Sequence, residues 1–227
     1  MKPHLRLAEA PTPGGGRLTL HGHDGRFCIR INGQILMDSS ATDSETLLGE
    51  LAVNRPLAAL EAAPRLLIGG LGLGFTLRRV LEGVGPDARV IVSELIPAVV
   101  EWNRSHLRGL NGALLDDPRV EIVPTDVAEL ILRSPVAHYD SVLLDVDNGP
   151  VAMVQKENRG LYSRAGIGRL AAMLRPGGRA AIWSASRDDA FADRLSAGGF
   201  AVEAVPARTY ATARRPAHII YVADKVN

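Results

Sequence analysis

The chain has 227 residues, 46% of them apolar and 22% charged, a globular composition that excludes a disordered or fibrous protein. Its 26 basic residues face 25 acidic ones, so no strong net field directs it toward nucleic acid or an anionic membrane. All but Lys2, Lys156 and Lys225 of the basic residues are arginine, but these are dispersed, and with 4% aromatic residues the chain lacks a stacking surface for single strands.

Residues 1–16 hold three prolines and the run Gly14-Gly15-Gly16, which predicts a loose arm without a signal-peptide core. From Arg17 the pattern has period two: Leu18 and Leu20, then Phe27, Ile29 and Ile31. Asn32-Gly33 is a strong hairpin signal, with Gln34–Met37 as the returning strand, so residues 17–43 read as a small antiparallel β element. Cys28, the single cysteine, lies in this stretch; it excludes an intramolecular disulfide and points to a reducing, cytoplasmic setting. Thr46, Leu47, Leu51 and Val53 predict a helix ending near Pro56.

Beyond Pro64, strands alternate with helices, and residues 44–227 read as one Rossmann-like unit. Strands are predicted at Arg65–Ile68, Arg89–Ser93, Arg119–Val123, Ser141–Val146 and Arg179–Trp183. Helices are predicted at Phe75–Leu81, Pro97–Leu107, Val127–Leu132, Gly160–Leu174 and Asp188–Leu195. Such alternation implies right-handed crossovers and a parallel sheet covered on both faces. Phe200–Val205 and His218–Val222 have no helix between them and should pair antiparallel. The longest apolar run, Leu66–Leu77, is broken by glycines and is too short to span a bilayer, so no membrane partner is expected.

The first strand of this unit runs into Gly69-Gly70-Leu71-Gly72-Leu73-Gly74. Glycines between a strand and a helix let a ligand approach main-chain N–H groups at a helix N-terminus. The dinucleotide fingerprint fails at its third position, where Phe75 stands; the glycines Gly70, Gly72 and Gly74 are spaced by two. Glu94 ends the second strand 20 residues after Gly74, the position from which an acid accepts hydrogen bonds from ribose hydroxyls. Asp126 follows the third strand, where it suits adenine binding and helix N-capping equally. Asp145 and Asp147 close the fourth strand and place acid at the same sheet edge. His21, His23 and Asp24 share an edge strand without a fourth ligand, so no metal site is expected.

Together these residues resemble the class I S-adenosylmethionine-dependent transferases, and within them the spermidine synthase-like branch. The resemblance runs through the hairpin lead-in, Ile68-Gly69-Gly70, Glu94 with Pro97, Asp126, Tyr139-Asp140, Gly149-Pro150, Leu161-Tyr162-Ser163, Arg175-Pro176-Gly177-Gly178 and His218–Val222. It implies an α/β fold, a seven-stranded, mostly parallel Rossmann-like sheet of class I methyltransferase type with a small N-terminal antiparallel β element. It also implies S-adenosylmethionine or its decarboxylated form as cofactor, a small-molecule acceptor and a homodimer. Gly70, Gly72 and Gly74 would approach the amino acid end, Glu94 the ribose and Asp126 the adenine. Asp145, with Asp147, would face the sulfonium and the incoming nucleophile as the catalytic acids.

Three departures bear on the reaction. Spermidine synthases carry an aspartate in the glycine-rich loop that repels the carboxylate of the intact cofactor, whereas this loop reads Leu71-Gly72-Leu73. Their Tyr-His pair would fall near Leu47-Leu48, leaving Glu50 as the retained acid. Their two active-site acids are separated by two residues; Asp145 and Asp147 are separated by one. Methyl transfer from intact S-adenosylmethionine is therefore the favoured expectation, with polyamine aminopropyl transfer as the alternative and a non-catalytic nucleoside-binding protein as a second.

Overall fold

The computed structural model describes residues 5–54, 63–145, 160–210 and 212–226. Two sheets organise the chain. The first is an antiparallel meander of β1 (Leu5–Pro11), β2 (Arg17–His23), β3 (Arg26–Ile31) and β4 (Gln34–Asp38). The composition of residues 1–16 predicts a loose arm, but Leu5–Pro11 pairs with Arg17–Gly22 and is a strand; of the described residues in this stretch, Thr12–Gly16 alone stays irregular. The turn at Asn32-Gly33 has positive φ at both residues, as a tight hairpin requires.

Helix α1 (Asp43–Val53) leads into the second sheet, with β5 (Arg65–Gly69), α2 (Phe75–Gly83), β6 (Arg89–Ser93), α3 (Pro97–Arg104) and the short α4 (Arg108–Asn111). There follow β7 (Val120–Val123), α5 (Val127–Arg133), β8 (Tyr139–Leu144), α6 (Arg164–Met173), β9 (Leu174–Ser184), α7 (Asp189–Ala197), β10 (Phe200–Ala207) and β11 (His218–Lys225). The strand order is β10-β11-β9-β8-β5-β6-β7, parallel except for β11, which pairs antiparallel with both β9 and β10. This is the expected seven-stranded, mostly parallel architecture.

Alternate residues of the central strands serve two cores. Leu66, Ile68, Val90, Val92 and Leu143 face one cluster with α1, α2 and α3; Leu67, Val142 and Leu144 face the other with α5, α6 and α7. All six residues of β8 are buried, as a strand covered on both faces must be. Several predicted boundaries shift: the helix predicted from Gly160 starts at Arg164, and the strand predicted over Ser141–Val146 spans Tyr139–Leu144. The helix from Pro97 stops at Arg104 before resuming as α4, and β9 begins at Leu174, with Arg175–Gly178 bulged out of the ladder between Tyr139 and Ser141 of β8.

Strand order reverses at β5, with β6 and β7 on one side and β8 and β9 on the other. In open parallel sheets the crevice at such a switch point, beyond the carboxyl ends of the strands, is where ligands bind. Gly69-Gly70, Glu94 and Asp145 all stand there.

Candidate functional site

Two adjoining cavities lie at this edge and share Leu36, Met37, Gly72 and Asp145. The larger encloses about 850 Å³ including its mouth. Its floor is Gly70, Gly72, Glu94, Asp126 and Asp145; its roof comes from the first sheet, through Leu18, Ile29 and the Thr12-Pro13-Gly14 turn. Ile96, Val99 and Val127 make one end apolar, a slot suited to a flat heterocycle. The smaller cavity, about 570 Å³, is bounded by Leu71 to Thr76, Glu45, Asp145 and Trp183.

The strand ends are tied to one another. Gly70 N–H donates to the Ser93 carbonyl (2.8 Å), Asp145 N–H to that of Gly69 (2.9 Å) and Glu94 N–H to that of Val123 (3.1 Å). Glu94 is 8% exposed, and its carboxylate accepts from Leu71 N–H (3.0 Å) and Ile96 N–H (2.8 Å), so it bridges the glycine loop to the start of α3. Burial raises its pKa above the ordinary glutamate range, opposed by those N–H groups. Gly72 has φ +52°, a left-handed position that strains any other residue, and a Cβ there would sit 2.6 Å from the Met37 sulfur, so that flexible side chain would have to give way.

Asp126 is the N-cap of α5, its Oδ1 accepting from Ala128 N–H at 2.7 Å, and it also lines the larger cavity. Of the two roles open in the sequence, the helix N-cap is the one observed. Gly74, the left-handed cap of α2, borders the smaller cavity. Asp147 lies outside the described residues. Gly70, Gly72, Gly74, Glu94, Asp126 and Asp145 are thus brought together across the two cavities.

Glu45 and Thr76 escape sequence reasoning. Thr76 Oγ1 lies 3.0 Å from Asp145 Oδ2 and 3.3 Å from the Glu45 carbonyl, placing its one hydrogen between two acceptors. Gly49 permits this approach: a Cβ there would stand 3.0 Å from the Thr76 carbonyl and 2.9 Å from Arg79 Cβ. Ser44 Oγ donates to Glu45 Oε2 (2.6 Å), and burial, aided by the charge of Asp43, raises the Glu45 pKa. Glu50, by contrast, faces Arg79 at 3.8 Å and borders neither cavity. No local pattern marks Glu45, because only the packing of α1 on α2 brings it to the strand edge.

His21 and His23 lie on β2, and among the described residues no cluster of three or more His, Cys, Asp or Glu side chains could hold a metal. Among the described residues, no helix is long and apolar enough to cross a membrane.

No family model matches the chain. Polyamine aminopropyltransferase 2 of Pseudomonas aeruginosa is 36% identical over 147 residues, covering 63% of this chain and 40% of the relative. Putrescine N-methyltransferase 1 of Nicotiana tabacum is 30% identical over 129 residues, covering 57% of this chain and 32% of the relative. The chain spans less than half the length of either. Among solved structures, spermidine synthase from Thermotoga maritima superposes with a TM-score of 0.71 at 19% identity, covering 97% of this chain and 72% of that one. That superposition shows the fold, and both sequence matches are to enzymes named for acting on polyamines. The chain is thus similar, in sequence and in fold, to the spermidine synthase-like branch of the class I S-adenosylmethionine-dependent transferases.

Proposed function

We propose that the chain is a transferase that binds decarboxylated S-adenosylmethionine and moves its aminopropyl group to a small-molecule amine. The observation that carries this reading is the meeting of Glu45 and Asp145 on the cavity bounded by the glycine loop. The sequence favours methyl transfer because Leu71-Gly72-Leu73 holds no acid to repel the carboxylate of the intact cofactor. Glu45 supplies that acid from α1 instead, where it would pair with the terminal ammonium of an aminopropyl chain and disfavour a carboxylate. The relative named polyamine aminopropyltransferase supports the same choice.

In this reading the apolar end of the larger cavity takes the adenine beside Asp126, Glu94 accepts the ribose hydroxyls, and Gly70, Gly72 and Gly74 pass under the sulfonium side chain. The amine attacks the carbon next to sulfur; the C–N bond forms as the C–S bond breaks, and 5′-methylthioadenosine leaves. Asp145, held by Thr76, orients the amine and accepts its proton, with Asp147, two residues on in the sequence, as the second catalytic acid. Alignment in a cavity partly closed by the first sheet supplies most of the acceleration.

Methyl transfer is the second reading, favoured by the acid-free Leu71-Gly72-Leu73 segment and the relative named putrescine N-methyltransferase. Incubation with each donor and putrescine, followed by mass spectrometry, separates the two. Release of 5′-methylthioadenosine from the decarboxylated donor is the predicted outcome; S-adenosylhomocysteine alone would establish methyl transfer, and neither product would refute both.

A further inference from the structure

Asn103 on α3 and Asn111 on α4 are 2% and 5% exposed, and neither borders a cavity. Asn103 Nδ2 donates to the carbonyls of Gly72 and Val99, each at 2.8 Å. Asn111 Nδ2 donates to Asn103 Oδ1. This last bond fixes which way the Asn103 amide faces, since its oxygen is taken up by Asn111 and its two hydrogens are left for the carbonyls. The pair also underlies the end of the loop: a Cβ at Gly74 would meet Asn103 Oδ1 and Asn111 Nδ2, each at 3.3 Å.

Burying two amides is costly unless their bonds do something apolar side chains could not. Gly70, Gly72 and Gly74 all have positive φ, and glycine visits either sign of φ at little cost, so local sterics alone do not hold this loop in one conformation. Gly72 borders both cavities, so a change of conformation there would reshape the wall they share. In the structure the Gly72 carbonyl oxygen is held by Asn103, which lines neither cavity. Glu94 grips the same loop from its other side through Leu71 N–H.

We propose that Asn103 and Asn111 are a positioning pair that locks the glycine loop in its ligand-accepting conformation, so that the donor nucleoside meets a preorganised turn. The nucleoside part rests on the function proposed above; the locking of the loop does not. Prior ordering of a loop raises affinity by removing an entropic cost from binding.

The test uses Asn103→Leu, which keeps the volume and removes the donors, with the milder Asn103→Ser read the same way if the leucine variant does not fold. Leu195→Ala, in the core cluster on the opposite face of the sheet, is the control for general destabilisation. Calorimetry with 5′-methylthioadenosine should show Kd raised at least tenfold by the Asn103 variant, while Leu195→Ala lowers Tm and leaves Kd within threefold. Hydrogen exchange over Gly70–Phe75 in the ligand-free proteins should speed up at least tenfold for the Asn103 variant alone. Unchanged exchange in the Asn103 variant, or equal effects of both variants, overturns the positioning role. An unmutated protein that binds no nucleoside but shows the exchange difference overturns the donor reading and leaves the loop lock standing.

Discussion

Glu45→Gln isolates the charge on which the aminopropyl reading turns. Ser44 holds one carboxylate oxygen at 2.6 Å, and glutamine keeps an oxygen for that bond while presenting N–H donors, not acceptors, to the cavity. A hydrogen bond to a charged group is worth about 1.5–3 kcal/mol. With about 1.4 kcal/mol per factor of ten, Kd for decarboxylated S-adenosylmethionine should rise roughly ten- to a hundredfold. 5′-Methylthioadenosine has no ammonium, so its Kd should change less than about twofold, a difference near the error of additive bookkeeping. Because burial raises the Glu45 pKa, affinity for the decarboxylated donor should begin to fall above the ordinary glutamate range as pH is lowered. Isothermal calorimetry of both ligands, with and without the substitution, reads all of this. Equal weakening of the two, or no weakening of the aminopropyl donor, would refute the assignment of Glu45 to the donor tail.

Other outcomes follow from the same geometry. Thr76→Val removes the hydroxyl 3.0 Å from Asp145 at constant volume and should lower kcat about tenfold, in the range of one lost buried hydrogen bond, with 5′-methylthioadenosine affinity unchanged; steady-state kinetics with calorimetry checks it. Gly72→Ala forces a side chain into a left-handed position against the Met37 sulfur, costing about 1–3 kcal/mol, and should lower Tm by several degrees and weaken nucleoside binding. His138 is kept below the usual histidine pKa by burial and by Arg65 and Arg175, and His218 by burial. The unfolded chain then binds protons more readily than the folded one, so stability should be full above about pH 6.5 and decline as pH falls below it. Thermal unfolding from pH 7.5 to 5 should show that decline, and His138→Gln should flatten it.

Most of the architecture can be read from periodicity. The strands from Arg65, Arg89 and Ser141 are nearly continuous apolar runs because the sheet is covered on both faces, and turn residues punctuate them. Glu94 and Asp145 could be placed at strand ends because a single acid after such a run has few other positions. The strand Leu5–Pro11 was hidden by its flanking prolines and glycines; its partner lies across a turn whose register local composition does not reveal. The start of β9 was masked by Pro176-Gly177-Gly178, which reads as a helix stop and serves here as a bulge. Glu45 is the instructive omission. It looks like an ordinary acid in the first turn of a helix, and its place depends on α1 lying against α2 through Gly49, a contact between segments some thirty residues apart.

Donor preference tests the central claim most directly: equilibrium binding of the unmutated protein to decarboxylated and intact S-adenosylmethionine, side by side at pH 7.5. The account predicts at least tenfold tighter binding of the decarboxylated donor, because Glu45 and Asp145 meet the tail of either molecule and favour the one without a carboxylate. Tighter binding of the intact cofactor would contradict it.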